Sequence, residues 1–239
     1  MIKITDVEVF GFRKAISSMR NPYESFKKSD SKNILTIEQN EFEKTQISTF
    51  RIGEADLNLC KKLIKGGSEH RKFLRMIHVQ FDIRMPRYFA TELDTYKVGT
   101  TKNSSSTMHL ITKRELTLDD FSYEEEGKED MELLLKLLNR LIMDYQTYTK
   151  RPDADKKKQK TNAMFRRIKQ LLPEGFMQMA TYDMSYETLL SIYHQRKNHR
   201  LSEWSGEDGF CEWIINLPYM GEFIEALEGG KDNEQSGAV

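Results

Sequence analysis

The run His194-Gln195-Arg196-Lys197-Asn198-His199-Arg200 sets three fixed cations and two imidazoles side by side. Such a cluster recognises anions through charge-assisted hydrogen bonds, although an Arg such as Arg196 at a helix end also serves as an ordinary surface residue. A second stretch, Gly99-Thr100-Thr101-Lys102-Asn103-Ser104-Ser105-Ser106, is small and polar throughout. It reads either as a plain linker or as a binding loop that offers hydroxyls and backbone donors. The acidic run from Asp119 to Asp130 lacks the spacing of a calcium loop, and suits the solvated N-terminus of a helix. Cys60 and Cys211 lie far apart without metal-ligand spacing, which points to two reduced thiols and to neither a disulfide nor a zinc site. No phosphate-binding loop, dinucleotide fingerprint, nucleophile elbow, zinc-protease helix or internal repeat is present. The residues alone therefore suggest a site for an anionic small molecule.

The chain of 239 residues carries 37 Lys+Arg against 37 Asp+Glu, with 38% hydrophobic and 31% charged residues. That length supplies one sizeable core or two small ones. A net charge of zero argues against a protein that coats nucleic acid. The last-ranked reading, a nucleic-acid module using Lys156 to Lys169 and His194 to Arg200 with Tyr193 and Trp204 for stacking, predicts steep salt dependence. No apolar run approaches the roughly 18 residues of a membrane span, and Met1 to Phe10 alternates where a signal peptide would be continuously apolar. The expectation is a cytoplasmic protein with no membrane partner.

The groups above need elements to hold them. Ile2, Ile4, Val7 and Val9 predict an opening strand that turns at Gly11, and Leu35, Ile37, Phe42, Ile47 and Phe50 suit short strands. Leu57, Cys60, Leu63 and Ile64 recur at helical spacing up to the stop at Gly66-Gly67. From Phe73 to Ile83 the pattern passes from a dense apolar run to strict alternation, a turn or helix entering a half-buried strand before Pro86, and Tyr88 to Leu93 restarts as a helix. Leu134, Leu135, Leu137, Leu138, Leu141, Ile142 and Tyr145 mark the strongest helix, Met131 to Tyr148. A charged connector over 151–160 precedes a helix from Asn162 to Leu172. Tyr186, Leu189, Leu190 and Tyr193 stripe a third helix, and Phe210, Trp213 and Ile214 a fourth. One domain is expected over 1–228, followed by a disordered tail over 229–239.

In this order the pieces resemble the flavin-dependent thymidylate synthases, the ThyX family. Its H-x-S/T-x-x-E-H segment, alternating strand, Ala-Pro, helix ending in Gln-x-x-Arg-His-Arg and polar loop Ser-x-Asn-Glu-x-Ser-x-Arg-Tyr fall on this chain with one extra loop residue. His70 meets the first His, Pro86 the Pro, Thr95-Tyr96-Lys97 the Arg-His-Arg, Asn103 the Asn, Ser106 the second Ser and Met108-His109 the Arg-Tyr. In a second block Lys169 stands four residues before Pro173 where the family has Arg, Arg196 meets a later Arg, and His199 and Glu203 meet a His and a Glu after one deletion. The resemblance covers most of 1–215 and rests on spacing and apolar pattern more than on identity. It departs at Arg75 for the acid, Lys72 for the hydroxyl residue, Thr95 for the first Arg and Glu92 for the Gln. A planar guanidinium fork has no substitute in Thr.

The resemblance implies an α/β (α+β) ThyX-like fold, a mixed or antiparallel sheet with flanking helices and a long helical region in the C-terminal half. It implies FAD as cofactor, NADPH and methylenetetrahydrofolate as co-substrates, a dUMP-like nucleotide as ligand, and a homotetramer with sites between subunits. The cofactor would meet His70, Lys72, Arg75, Tyr96, Lys97, Val98, Ser185, Ser191, Gln195 and His199. The nucleotide would meet Glu92, Thr95, Asn103, Ser104, Ser105, Ser106, Lys169 and Arg196. Each residue also has a structural reading: Tyr96 as a packed aromatic, His70 and His199 as satisfied histidines, Glu92 as the partner of a Lys such as Lys97. The activity implied is reductive methylation of dUMP, with a non-catalytic nucleotide-binding or assembly protein as the alternative.

Overall fold

The structure, a computed structural model, describes residues 1–39, 44–151 and 157–229, and gives side chains for all of these except 35–39, 44–48 and 157. The elements in order are β1 (Lys3–Phe10), α1 (Phe12–Ser18), β2 (Lys32–Gln39), β3 (Lys44–Arg51), α2 (Glu54–Lys65), β4 (His78–Pro86), α3 (Arg87–Leu93) and β5 (Thr100–Ser104). They continue with α4 (Thr107–Leu110), α5 (Lys128–Thr149), α6 (Lys157–Leu171), β6 (Met177–Ser185), α7 (Tyr186–Arg196), α8 (Ser202–Ser205), α9 (Phe210–Ile215) and α10 (Met220–Glu228). Four strands form a sheet in the order β1-β4-β6-β5, and β2 pairs antiparallel with β3 from Lys32 opposite Arg51 to Gln39 opposite Lys44. Phe42, the connector residues 152–156 and the tail from 230 lie outside the described residues. Among the described residues no helix is long and apolar enough to cross a membrane.

Contacts divide the chain into two compact units. The first comprises Met1–Thr5, Asp82–Thr95 and Lys102–Thr181. Its core joins Leu138, Leu141 and Ile142 of α5 to Ile168 of α6, with Ile111, Leu116, Phe121 and Leu172. The α5 stripe foreseen from its 3.6-residue period is thus the face that packs. The connecting segment is tied down by Asn139, whose amide donates to the Leu116 carbonyl at 2.9 Å and accepts from the Leu116 amide at 2.8 Å. The acidic run is not uniformly solvated. Asp120 is buried, takes both nitrogens of the Arg114 fork at 2.6 and 2.7 Å, and forms a capping box with Thr117. The helix expected from Asn162 opens earlier, at Lys157, because the Lys-rich segment before it supports a helix as well as a connector.

The second unit comprises Asp6–Phe81, Tyr96–Thr101 and Tyr182–Val239. Cys60 and Ile64 of α2 are fully buried, as their spacing requires, and α2 packs on α10, an element inside the expected domain for which the sequence reading named no helix. Both cysteines are free and buried, and burial pushes each thiol up to about 12. Such thiols are inert at neutral pH. Asp56 is fully buried on α2 and binds Arg20 at 2.6 Å, the Ser29 and Ser31 hydroxyls at 2.6 Å each, and the Ser31 amide.

Gly11, between β1 and α1, has φ 96°, and a Cβ there would lie 2.1 Å from the Met76 carbonyl oxygen. Gly11→Ala is therefore expected to destabilise the protein by about 2–4 kcal/mol, the sum of left-handed strain and a backbone clash. A urea midpoint within error of wild type would show that the turn relaxes freely.

Candidate functional site

Tyr96 and Arg196, one hundred residues apart in sequence, meet in the second unit. The Arg196 Nε donates to the Tyr96 hydroxyl at 2.8 Å, and that hydroxyl donates to the Gln195 amide oxygen at 3.1 Å. The Gln195 nitrogen continues the chain to the Ser191 hydroxyl at 3.0 Å. The Arg196 guanidinium carbon also stands 5.1 Å from the Trp204 ring centre and 5.7 Å from that of Tyr96. Contacts of this kind contribute roughly 0.5–2 kcal/mol depending on desolvation. His199 meets the same indole edge-on at 6.2 Å, while its Nδ1 accepts from the Leu201 amide. Four of the residues implied for the cofactor, Tyr96, Ser191, Gln195 and His199, are therefore gathered around Arg196 and Trp204. Sequence reading offered Trp204 only for stacking on nucleic acid, and gave no signal that it is fully buried in this cluster.

The cationic run at the end of α7 does not face solvent as a block. Arg196 is engaged by the aromatics, and Lys197 pairs with Glu228 of α10, which raises the lysine's pKa. Val98 and Lys97 are exposed. The Val98 carbonyl accepts from the Thr188 hydroxyl at 2.6 Å, and the Gly99 carbonyl accepts from the Ser185 amide. Ser185 itself caps α7, its hydroxyl accepting from the Thr188 amide, and it is 2% exposed. Its side chain thus serves the helix, while Val98 is the exposed end of this segment.

His70 and Lys72 line a separate groove of about 640 Å³ in the same unit. Its wall combines Lys28 and Lys62 with Tyr23, Phe73, Leu59, Leu63 and the hydroxyl residues Ser18 and Ser25. Arg75, exposed on the 3-10 segment Lys72–Met76, is not part of that wall. Tyr23 is 89% exposed, so its ring is free to be covered.

The nucleotide residues implied by resemblance lie in the first unit, apart from Arg196. Asn103 and Ser104 belong to β5. The segment expected as a linker or loop is therefore an edge strand, which its polar residues tolerate because backbone pairing and not side-chain burial holds it. Ser105 donates its amide to the Met179 carbonyl, and the Ser106 carbonyl accepts the His109 and Leu110 amides at the start of α4. Lys169 donates to the Thr107 hydroxyl, and its pKa is lowered by burial and by the nearby Arg87 charge. Thr95 is exposed at the end of α3, its hydroxyl donating to the Glu92 carbonyl at 2.7 Å.

No protein-family model matches the sequence, and no curated protein does. Solved structures do. A crystal structure of thymidylate synthase X from Helicobacter pylori with FAD and dUMP matches at TM-score 0.64 with 14% identity, covering 95% of this chain and 100% of that one. A second structure of that flavin-dependent enzyme with FAD and dUMP gives 0.62, 16%, 94% and 99%. The fold is ThyX-like. At such identity the likeness concerns the ThyX-like architecture, and the chemistry rests on the residues described above.

Those residues fit a flavin dinucleotide in kind. The groove beside His70 sets Lys28, Lys62 and Lys72 near exposed aromatic surface with one carboxylate, Glu69, on the same wall, a cationic excess that suits a pyrophosphate flanked by ring systems. Tyr96 offers a ring that is only half-buried.

Proposed function

We propose that the chain is a flavin- and nucleotide-binding protein, and that its reaction is reductive methylation of dUMP to dTMP with methylenetetrahydrofolate and NADPH. The observation that carries this reading is the assembly of Tyr96, Ser191, Gln195 and His199 around Arg196, in a ThyX-like fold whose solved counterparts hold FAD and dUMP. Bound FAD supplies the redox chemistry, which no side chain of this chain can. Lys28, Lys62 and Lys72 would hold its phosphates, Tyr23 or Tyr96 would cover a ring, and Lys169 with the Ser105–Ser106 backbone would hold the nucleotide phosphate. By the same reading the protein is cytoplasmic and assembles as a homotetramer.

A second reading is favoured by one specific observation. Thr95 stands where a guanidinium would be, and Arg196 is already engaged by Tyr96 and Trp204, so two of the cations implied for the nucleotide are missing or occupied. On that reading the fold retains binding and has lost turnover. Calorimetric titration with FAD and then dUMP, together with rescue of a thymidine-requiring strain, separates the two. Binding with rescue supports the enzyme, binding without rescue supports the non-catalytic protein, and uptake of neither ligand contradicts both.

A further inference from the structure

We propose that α6 is a helix built to lie in the major groove of duplex DNA. Its sequence, KKQKTNAMFRRIKQL, holds Lys158, Lys160, Arg166, Arg167 and Lys169 among its cations and no Asp or Glu. Phe165 and Ile168 turn one side into the core of the first unit, and Lys169 donates to Thr107. The opposite side is exposed and free of carboxylates. There Gln159, Asn162, Ala163, Arg166 and Gln170 recur at i, i+3, i+4, i+7 and i+11, so they share one face. Lys158 flanks that face on one edge, and Lys160 and Arg167 flank it on the other. At the rise of an α-helix the face runs about 18 Å from Lys158 to Gln170.

This arrangement matches the groove in shape and in chemistry. The major groove admits an α-helix, with phosphates along both rims and base edges on its floor. The flanking cations serve the rims and position the helix. The groups between them suit base edges, since Asn and Gln pair with adenine and Arg with guanine. Lys158, Arg166 and Arg167 have no ion pair or side-chain hydrogen bond among the described residues, so no acid has to be displaced from them. Lys160 and Arg151 stand 4.8 and 5.3 Å from the centre of the Tyr148 ring, which carries the positive charge onto the end of α5. A membrane surface fits less well, because the face offers no bulky apolar side chain to insert before Leu171. The other cationic stretch considered for nucleic acid contributes little: Arg196 and Lys197 are engaged, and Trp204 is buried. Zero net charge describes the whole chain, whereas a groove-binding helix acts through its own face. The site lies in the first unit, and stands whether or not the second takes up flavin.

The test is fluorescence anisotropy of a labelled random-sequence DNA duplex with the full-length protein, using duplex RNA and phosphatidylserine–phosphatidylcholine vesicles as competitors. The expected result is DNA binding that either competitor displaces only at tenfold excess or more, since the narrow major groove of RNA does not admit a helix. Three phosphate contacts predict that log K falls against log salt with a slope of about −2.7. Arg167→Gln should weaken binding and reduce that slope by about 0.9. Ala163→Glu replaces one helix former by another and sets a carboxylate in the middle of the face, so it should keep the fold and weaken binding at least tenfold. Arg140→Gln removes the same charge as Arg167→Gln from the exposed side of α5 and should leave binding unchanged. Absence of DNA binding at low salt, equal displacement by RNA or by vesicles, undiminished binding by folded Ala163→Glu, or an equal loss in Arg140→Gln would each overturn the proposal.

Discussion

Asp56→Ala is expected to destabilise the protein by about 3–5 kcal/mol, because it leaves the buried Arg20 guanidinium without its counter-charge. At roughly 2–4 °C per kcal/mol for a chain of this size, thermal melts should shift down by about 6–20 °C. The Arg20 and Asp56 side chains are 8% and 0% exposed, so solvent does little to compensate the loss. The same site sets a pH dependence. Burial alone would raise the Asp56 carboxyl, but hydrogen bonds from Ser29, Ser31 and Arg20 and the Arg20 charge outweigh it and hold the group below its ordinary value of 3.8. Asp120 is lowered in the same way by Arg114 and Thr117 against its own burial. Both groups have folded-state values below the unfolded ones. Their contribution is therefore complete above about pH 5 and fades as the pH falls through and below 3.8. The Asp56→Ala protein should lose less stability than wild type over that acidic window. Equal losses would mean that Asp56 titrates as it does in the unfolded chain.

Trp204→Ala should be as damaging, by about 3–5 kcal/mol, since the indole is fully buried and its removal leaves a cavity. Its second effect is on the site. Arg196, Tyr96 and His199 all lose the ring they pack against, at 5.1, 6.3 and 6.2 Å. On the flavin reading, FAD affinity falls at least tenfold in Trp204→Ala at a temperature where it is still folded. Trp204→Phe keeps an aromatic surface and should retain most of both properties. Melting curves and FAD titrations on the two variants make the comparison, and an unchanged FAD affinity in folded Trp204→Ala would separate the cluster from the cofactor.

What the sequence disclosed depends on how local each signal is. The α5 stripe and the alternation of Val79, Phe81, Ile83 and Met85 in β4 are properties of neighbouring residues, and both elements lie where periodicity places them. The same alternation, Ala180, Tyr182 and Met184, was present in β6 and overlooked, because the exposed Met179 just before it blurs the period. Asp56 gives no local sign of burial. An acid on an amphipathic helix reads as solvated, and the partners that bury it, Arg20, Ser29 and Ser31, come from a segment 25 to 36 residues away. The opening strand shows a related effect: its parity breaks between Ile4 and Val7, and the structure puts Asp6 at φ 51°, an irregularity that pattern reading registers only as imperfect alternation. The pairing of Tyr96 with Arg196 was not legible in the sequence, since nothing in either neighbourhood points to the other and the family resemblance assigns the two to different ligands.

The absorbance spectrum of freshly purified protein, recorded before and after addition of FAD and then dUMP, tests the central claim most directly. The account predicts oxidised-flavin bands, either carried through purification or retained with the protein after FAD is added and the excess removed, and a perturbation of those bands by dUMP. Protein that shows no flavin bands in either state would contradict it.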